Sequence, residues 1–129
     1  SVALLPHVPY IKRVKQFTSS FSMRKIEQLM NNSIRNRQDF CYSNTMVTHE
    51  GRDALVYLHG NHIATVGDTF LTIFDGGWQS NTTKSRLNAI INEFCNAYTD
   101  GVFQKNYEWF INTANGTVDF VNGFTFGDA

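Results

Sequence analysis

Leu87, Ile90, Ile91, Phe94 and Cys95 stand at i, i+3, i+4, i+7 and i+8, the spacing that gathers apolar side chains along one side of a 3.6-residue helix. The run predicts a helix opened by Thr82 or Thr83, whose hydroxyl can accept from a backbone N–H one turn in. A second run of this period comes earlier. Met23, Ile26, Met30 and Ile34, with Leu29 beside them, predict a helix over residues 23–36 capped by Ser22. Its exposed side would carry Arg24, Lys25, Gln28, Asn31, Asn32 and Arg35.

Between the two helical runs the pattern turns β-like. Runs 45–48, 54–59, 62–66 and 70–74 are separated by Glu50-Gly51-Arg52-Asp53, Gly60-Asn61 and Gly67-Asp68. Gly60 at the first central position predicts a type II′ hairpin, because a residue without Cβ reaches positive φ at little cost. In the fourth run Phe70, Thr72 and Phe74 alternate with Leu71 and Ile73, so apolar groups fall on both faces and the strand is expected inside its sheet. After Asp100-Gly101 come runs 102–105, 107–112, 117–121 and 124–126, with Asn-Gly at 115–116 and 122–123. A helix, a meander, a helix and a strand-rich tail predict an α+β fold, with an antiparallel sheet of about five to seven short strands carrying two helices.

Residues 1–21 hold Pro6 and Pro9 and no sustained period, which reads as an irregular arm before a single domain over 22–129. A chain of 129 residues buries roughly 65–70% of its unfolded surface, enough for one core. With 42% hydrophobic residues and 11 Phe the material for that core is present, which argues against wholesale disorder. The opening Val2-Ala3-Leu4-Leu5 is cut short by proline, and no apolar run reaches the roughly 20 residues of a membrane span. No signal peptide and no membrane contact are expected. Cys41 and Cys95 fit no metal-ligand or disulfide framework and are expected as reduced, largely buried thiols.

Charge changes this picture more than composition does. Residues 1–38 hold seven basic groups against Glu27 alone, a net +6, and residues 39–129 hold four against ten, a net −6. Such a split points to a basic surface for nucleic acid or for an acidic protein partner. Its alternative is that the halves neutralise each other within the fold or between subunits.

The run Leu58-His59-Gly60-Asn61, then Ile63-Ala64, Gly77-Trp78, Thr82-Thr83-Lys84-Ser85-Arg86-Leu87-Asn88 and Val102-Phe103-Gln104-Lys105-Asn106 ahead of Trp109 resembles a group of small proteins of tailed bacteriophages. The stretches Arg24-Lys25-Ile26 and Ile34-Arg35-Asn36-Arg37 resemble their amino-terminal part, so the likeness covers about residues 23–110. The resemblance implies a lytic virus of marine or cyanobacterial hosts and a protein acting in the host cytoplasm or the virion. It brings no reaction, cofactor or catalytic residue with it.

Thr82-Thr83-Lys84-Ser85-Arg86 opens a helix, so its free N–H groups, hydroxyls and two cations could hold a phosphate. Gly76 and Gly77 lack the P-loop spacing to Lys84, and plain helix capping is the competing account. His59 and His62 flank a turn, where they could serve as acid and base in phosphodiester cleavage. Two histidines are too few for zinc unless His49, Glu50 and Asp53 come alongside, so neither a metal nor another cofactor is expected. The second half is crowded with aromatics, Trp78 and Tyr107 among them, which could stack on unpaired bases or fill the core.

These features add up to a non-enzymatic phage accessory protein that acts by binding, with a protein-interaction or virion structural component as the alternative and a small phosphodiesterase or nuclease as the second alternative. The nucleic-acid or phosphate contacts would be Lys12, Arg13, Lys15, Arg24, Lys25, Arg35, Arg37, Lys84 and Arg86. Val118, Phe120, Val121, Phe124 and Phe126 give the tail more apolar surface than a terminal segment needs, which predicts a homo-oligomer.

Overall fold

A computed structural model of the chain describes residues 23–127. In order along the chain these form α1 (Lys25–Asn36), β1 (Phe40–Tyr42), β2 (Thr45–Glu50), β3 (Asp53–Leu58), β4 (Asn61–Val66), β5 (Phe70–Ile73), α2 (Asn81–Phe94), β6 (Gly101–Lys105), β7 (Glu108–Thr113), β8 (Gly116–Asp119) and β9 (Phe124–Gly127). The class is α+β, with every strand pairing antiparallel. The strands divide between two sheets, one in the order β1-β2-β3-β4-β5-β9 and one in the order β6-β7-β8. One continuous sheet is not formed: β9 takes the outer edge of β5, setting Phe126 opposite Leu71 and Phe124 opposite Ile73, and β6 to β8 pair only among themselves.

Alternation along β2 and β3 turns Thr45, Val47, Ala54, Val56 and Leu58 inward. On β4 the alternation breaks. Val56 pairs with Ala64 and Tyr57 with His62, so Ile63 is an extra residue and both Ile63 and Ala64 are buried. The β3–β4 turn is also not the type II′ expected. Asn61 already pairs with Leu58, leaving His59 and Gly60 as central residues with φ of 52° and 79°, the type I′ pattern.

Helix α2 packs against α1, against β4 and β5, and against β6. Its stripe of Leu87, Ile90, Ile91 and Phe94 is buried as the spacing required, with Ala89 and Cys95 beside it. Asn88 ties the small sheet to the helix: its Nδ2 donates to the Val102 carbonyl at 2.9 Å, and the Val102 N–H donates to its Oδ1 at 2.8 Å. The helix starts earlier than expected. Ser80, not Thr82 or Thr83, is the cap, with its Oγ accepting from the Thr83 N–H at 3.1 Å.

Helix α1 presents a different face from the one its apolar period predicts. Glu27, Met30, Asn31, Ser33 and Ile34 are buried, while Ile26 is only half-buried and Leu29 is exposed. Asn31, expected on the solvent side, donates from Nδ2 to the Ala89 carbonyl on α2 at 3.1 Å. The helix begins at Lys25 with Arg24 at its N-cap position, and the Arg24 N–H donates to Glu27 Oε1. The proposed cap Ser22 and the arm over residues 1–21 lie outside the described residues.

The two cysteines also part company: Cys95 is buried as expected, whereas Cys41, on the edge strand β1, is exposed. In the tail Phe126 joins the core, and Phe120 and Phe124 pack against it, leaving Val118 and Val121 exposed. Among the described residues no helix is long and apolar enough to cross a membrane.

Candidate functional site

The last turn of α1 ends at Arg37 in the left-handed region, φ 58°, with the Gln38 N–H returning to the Ser33 carbonyl at 3.0 Å. That reversal carries Arg37 to two sheet turns, where its Nη1 donates to the Arg52 carbonyl at 3.2 Å and its Nη2 to Asp68 Oδ1 at 3.1 Å. Sheet register explains why those turns adjoin. Glu50 pairs with Asp53 and Ala54 with Val66, so the 51–52 turn lies beside Gly67-Asp68. Arg52 Nη1 reaches the other Asp68 oxygen at 3.0 Å. One carboxylate thus holds two guanidinium groups from different elements.

Beneath this pair lies a cavity of about 260 Å³ whose apolar walls include Ile34, Ala54, Val66 and Phe94. Arg35, Arg37, Arg52, His49 and Asp68 supply its polar lining, three guanidinium groups to one carboxylate. Arg35 also pairs with the buried Glu93 of α2, and desolvation draws its pKa below the ordinary arginine value. His49 places Nδ1 3.1 Å from Asp39 Oδ1, while its buried Nε2 has no hydrogen-bond partner among the described residues. Arg37 and Arg52 remain open to solvent, with side chains 49% and 81% exposed. Exposed ion pairs of this kind contribute about 0–1 kcal/mol, so Asp68 orders the two forks without removing them from competition by a phosphate, for which guanidinium is well matched.

The family model described as Kyanoviridae Gp96 protein matches residues 23–127, which takes in both helices, both sheets and every residue of this cavity. The chain belongs to the Kyanoviridae Gp96 protein family. It is therefore a phage protein of the marine tailed type. No curated protein and no solved structure matches it.

In this Gp96 family member the nine basic residues singled out from sequence have separate fates. Arg35 and Arg37 meet at the cavity, and Arg24 and Lys25 are exposed at the other end of α1. Lys84 is half-buried on α2, its Nζ 3.4 Å from Gln104 Oε1. Arg86 leaves the surface set altogether: it is 3% exposed and its Nη1 donates to Glu27 Oε2 at 2.7 Å. Lys12, Arg13 and Lys15 lie outside the described residues.

Among the described residues no hydrogen bond or ring contact joins His59 to His62. His62 lies between the tilted rings of Tyr57 and Phe74, ring centroids 5.5 and 4.8 Å away, with Nε2 2.9 Å from Thr65 Oγ1. His59 lines a different cavity beside α2. Among the described residues no three His, Cys, Asp or Glu side chains gather in a way that could hold a metal ion. Arg52 and Asp68 are the site residues that sequence reading passed over. Each follows a glycine in a turn, and that position at adjoining strand ends was the available signal.

Proposed function

We propose that this family member is a non-enzymatic accessory protein that acts by binding nucleic acid. Phosphates are met at the Arg37–Arg52 pair, with Arg35 behind it and Arg24 and Lys25 extending the contact along α1. The observation that carries the reading is the convergence of Arg37 and Arg52 on Asp68 at the mouth of a cavity that Arg35 and His49 also line. Two forks held in register and open to solvent present several N–H donors to a phosphate oxygen at little ordering cost. Lys12, Arg13 and Lys15 would add to the same electrostatic attraction. The working site is the host cytoplasm or the virion. Binding of labelled DNA and RNA by wild type and by Arg37→Glu/Arg52→Glu tests it; equal affinity in both would remove the arginine pair from the account.

A second reading, contact between copies of the chain, is favoured by the small sheet. Strand β8 is an edge with all four residues exposed, and Val118 and Val121 are 44% and 53% exposed. An exposed edge of this kind is a template for pairing with another strand.

A further inference from the structure

Trp78 is 76% exposed, yet its backbone is held on both sides. The Trp78 N–H donates to the Asp75 carbonyl at 3.3 Å, and the Trp78 carbonyl accepts from the Ser80 N–H at 3.0 Å and from Thr83 Oγ1 at 3.3 Å. The Asp75 carboxylate braces the same loop, taking the Gly77 N–H at 2.8 Å and Gln79 Nε2 at 3.3 Å. Gly76 is required there: its φ is +71°, and a Cβ would stand 3.1 Å from Ile63 and 3.2 Å from Asn61. Tryptophan is highly buried on average, and where it is exposed its amphipathic ring is enriched at contact surfaces.

The indole borders a cavity of about 490 Å³, inside the range of roughly 300–1,000 Å³ that small organic ligands occupy. His59 is a second aromatic lining group, and Leu58 and Ile63 form an apolar floor. The polar complement is small. Ser80 Oγ is engaged with Thr83, and both Asp75 oxygens are engaged within the loop. That leaves His59, Asn61 and Thr82 as lining side chains without a hydrogen bond to another described residue. A sugar, with hydroxyls around its whole ring, needs more partners than three. A flat ring with two apolar faces and a few polar edge atoms needs no more than these.

We propose that this cavity takes one unpaired nucleobase, stacked on Trp78 with its edge toward Asn61 and Thr82. Base–aromatic stacking tolerates any sequence because every base has a π-face, so the site confers a preference for single strands over duplexes. The inference deepens the nucleic-acid reading and rests on it for the polymer; the base itself is testable with uncharged nucleosides, whose binding is independent of the arginine pair.

The test uses the two indole N–H signals in an NMR spectrum, since Trp109 is 5% exposed and serves as an internal control. Adenosine, uridine, maltose and inorganic phosphate are titrated separately into wild type, Trp78→Ala and Arg37→Glu/Arg52→Glu. A saturable shift of the Trp78 signal with a nucleoside is expected in wild type and in the arginine variant, with no response to maltose or phosphate. Single-stranded oligonucleotide should then bind more tightly than its duplex, with Trp78→Ala losing roughly 5- to 150-fold on the single strand alone. Saturation by maltose without nucleoside, or no response to either, would overturn the base site. Nucleoside saturation without oligonucleotide binding would keep the base site for a free nucleotide and remove the polymer. Oligonucleotide binding that ignores strandedness and Trp78→Ala would keep the phosphate face and remove the base site.

Discussion

Arg86 on α2 donates from Nη1 to Glu27 Oε2 on α1 at 2.7 Å, with both side chains almost wholly out of solvent. The other two guanidinium nitrogens are also engaged: Nε reaches Thr45 Oγ1 at 3.0 Å and Nη2 reaches Asn44 Oδ1 at 3.2 Å. Ser85 Oγ donates to the same Glu27 oxygen at 2.6 Å. The pair therefore fastens both helices to the β1–β2 turn. Removing one partner leaves a buried charge alone, which costs about 3–5 kcal/mol, whereas replacing both by apolar groups costs far less. Urea denaturation should show Glu27→Gln and Arg86→Met each strongly destabilised and Glu27→Leu/Arg86→Met closer to wild type. Single variants as stable as wild type would show that the pair does not hold the helices.

Ile91 is fully buried in the stripe of α2. Ile91→Asp places an unpaired carboxylate among apolar groups, and a loss of several kcal/mol is expected. Thermal unfolding checks it, and an unchanged midpoint would mean that this side of α2 meets solvent.

How much of this was legible follows from the range of the interactions. The stripe Leu87, Ile90, Ile91, Phe94 is local, and its spacing alone oriented α2 correctly. The face of α1 was not legible, because Glu27 turns inward only on account of a partner 59 positions away. The same holds at the cavity: Arg35 and Arg37 were visible as basic residues, but their meeting with Arg52, Asp68 and His49 depends on strand register. Charges that looked segregated along the chain partly cancel in space through Arg35–Glu93, Arg37–Asp68 and Glu27–Arg86. The return of β9 to β5, after three strands that form a separate sheet, has no local signal at all.

Cys41 is exposed and Cys95 is buried, where desolvation first and the Asp100 carboxylate second push its thiol pKa well up. A thiolate is the reactive form, so one equivalent of a thiol reagent should be taken up by the native protein and two after unfolding. Rapid uptake of two equivalents under native conditions would contradict the burial of Cys95.

If β8 joins copies of the chain, Val118→Lys should lower the mass in solution while leaving both helices intact. Sedimentation of wild type as a monomer at tens of micromolar would end that reading, and with Phe126 in the core the tail would then serve its own sheet alone.

Phosphate recognition at the Arg37–Arg52 pair is read most directly from the affinity for a labelled single-stranded oligonucleotide across a salt series. Counterion release makes the logarithm of the binding constant fall linearly with the logarithm of salt, by about 0.7 per phosphate contact for single strands. Wild type should show such a slope. Arg37→Glu/Arg52→Glu should bind more weakly, with a slope shallower by roughly 1.4 for two lost contacts. Absence of binding by wild type at low salt, or an unchanged slope in the variant, would contradict the account.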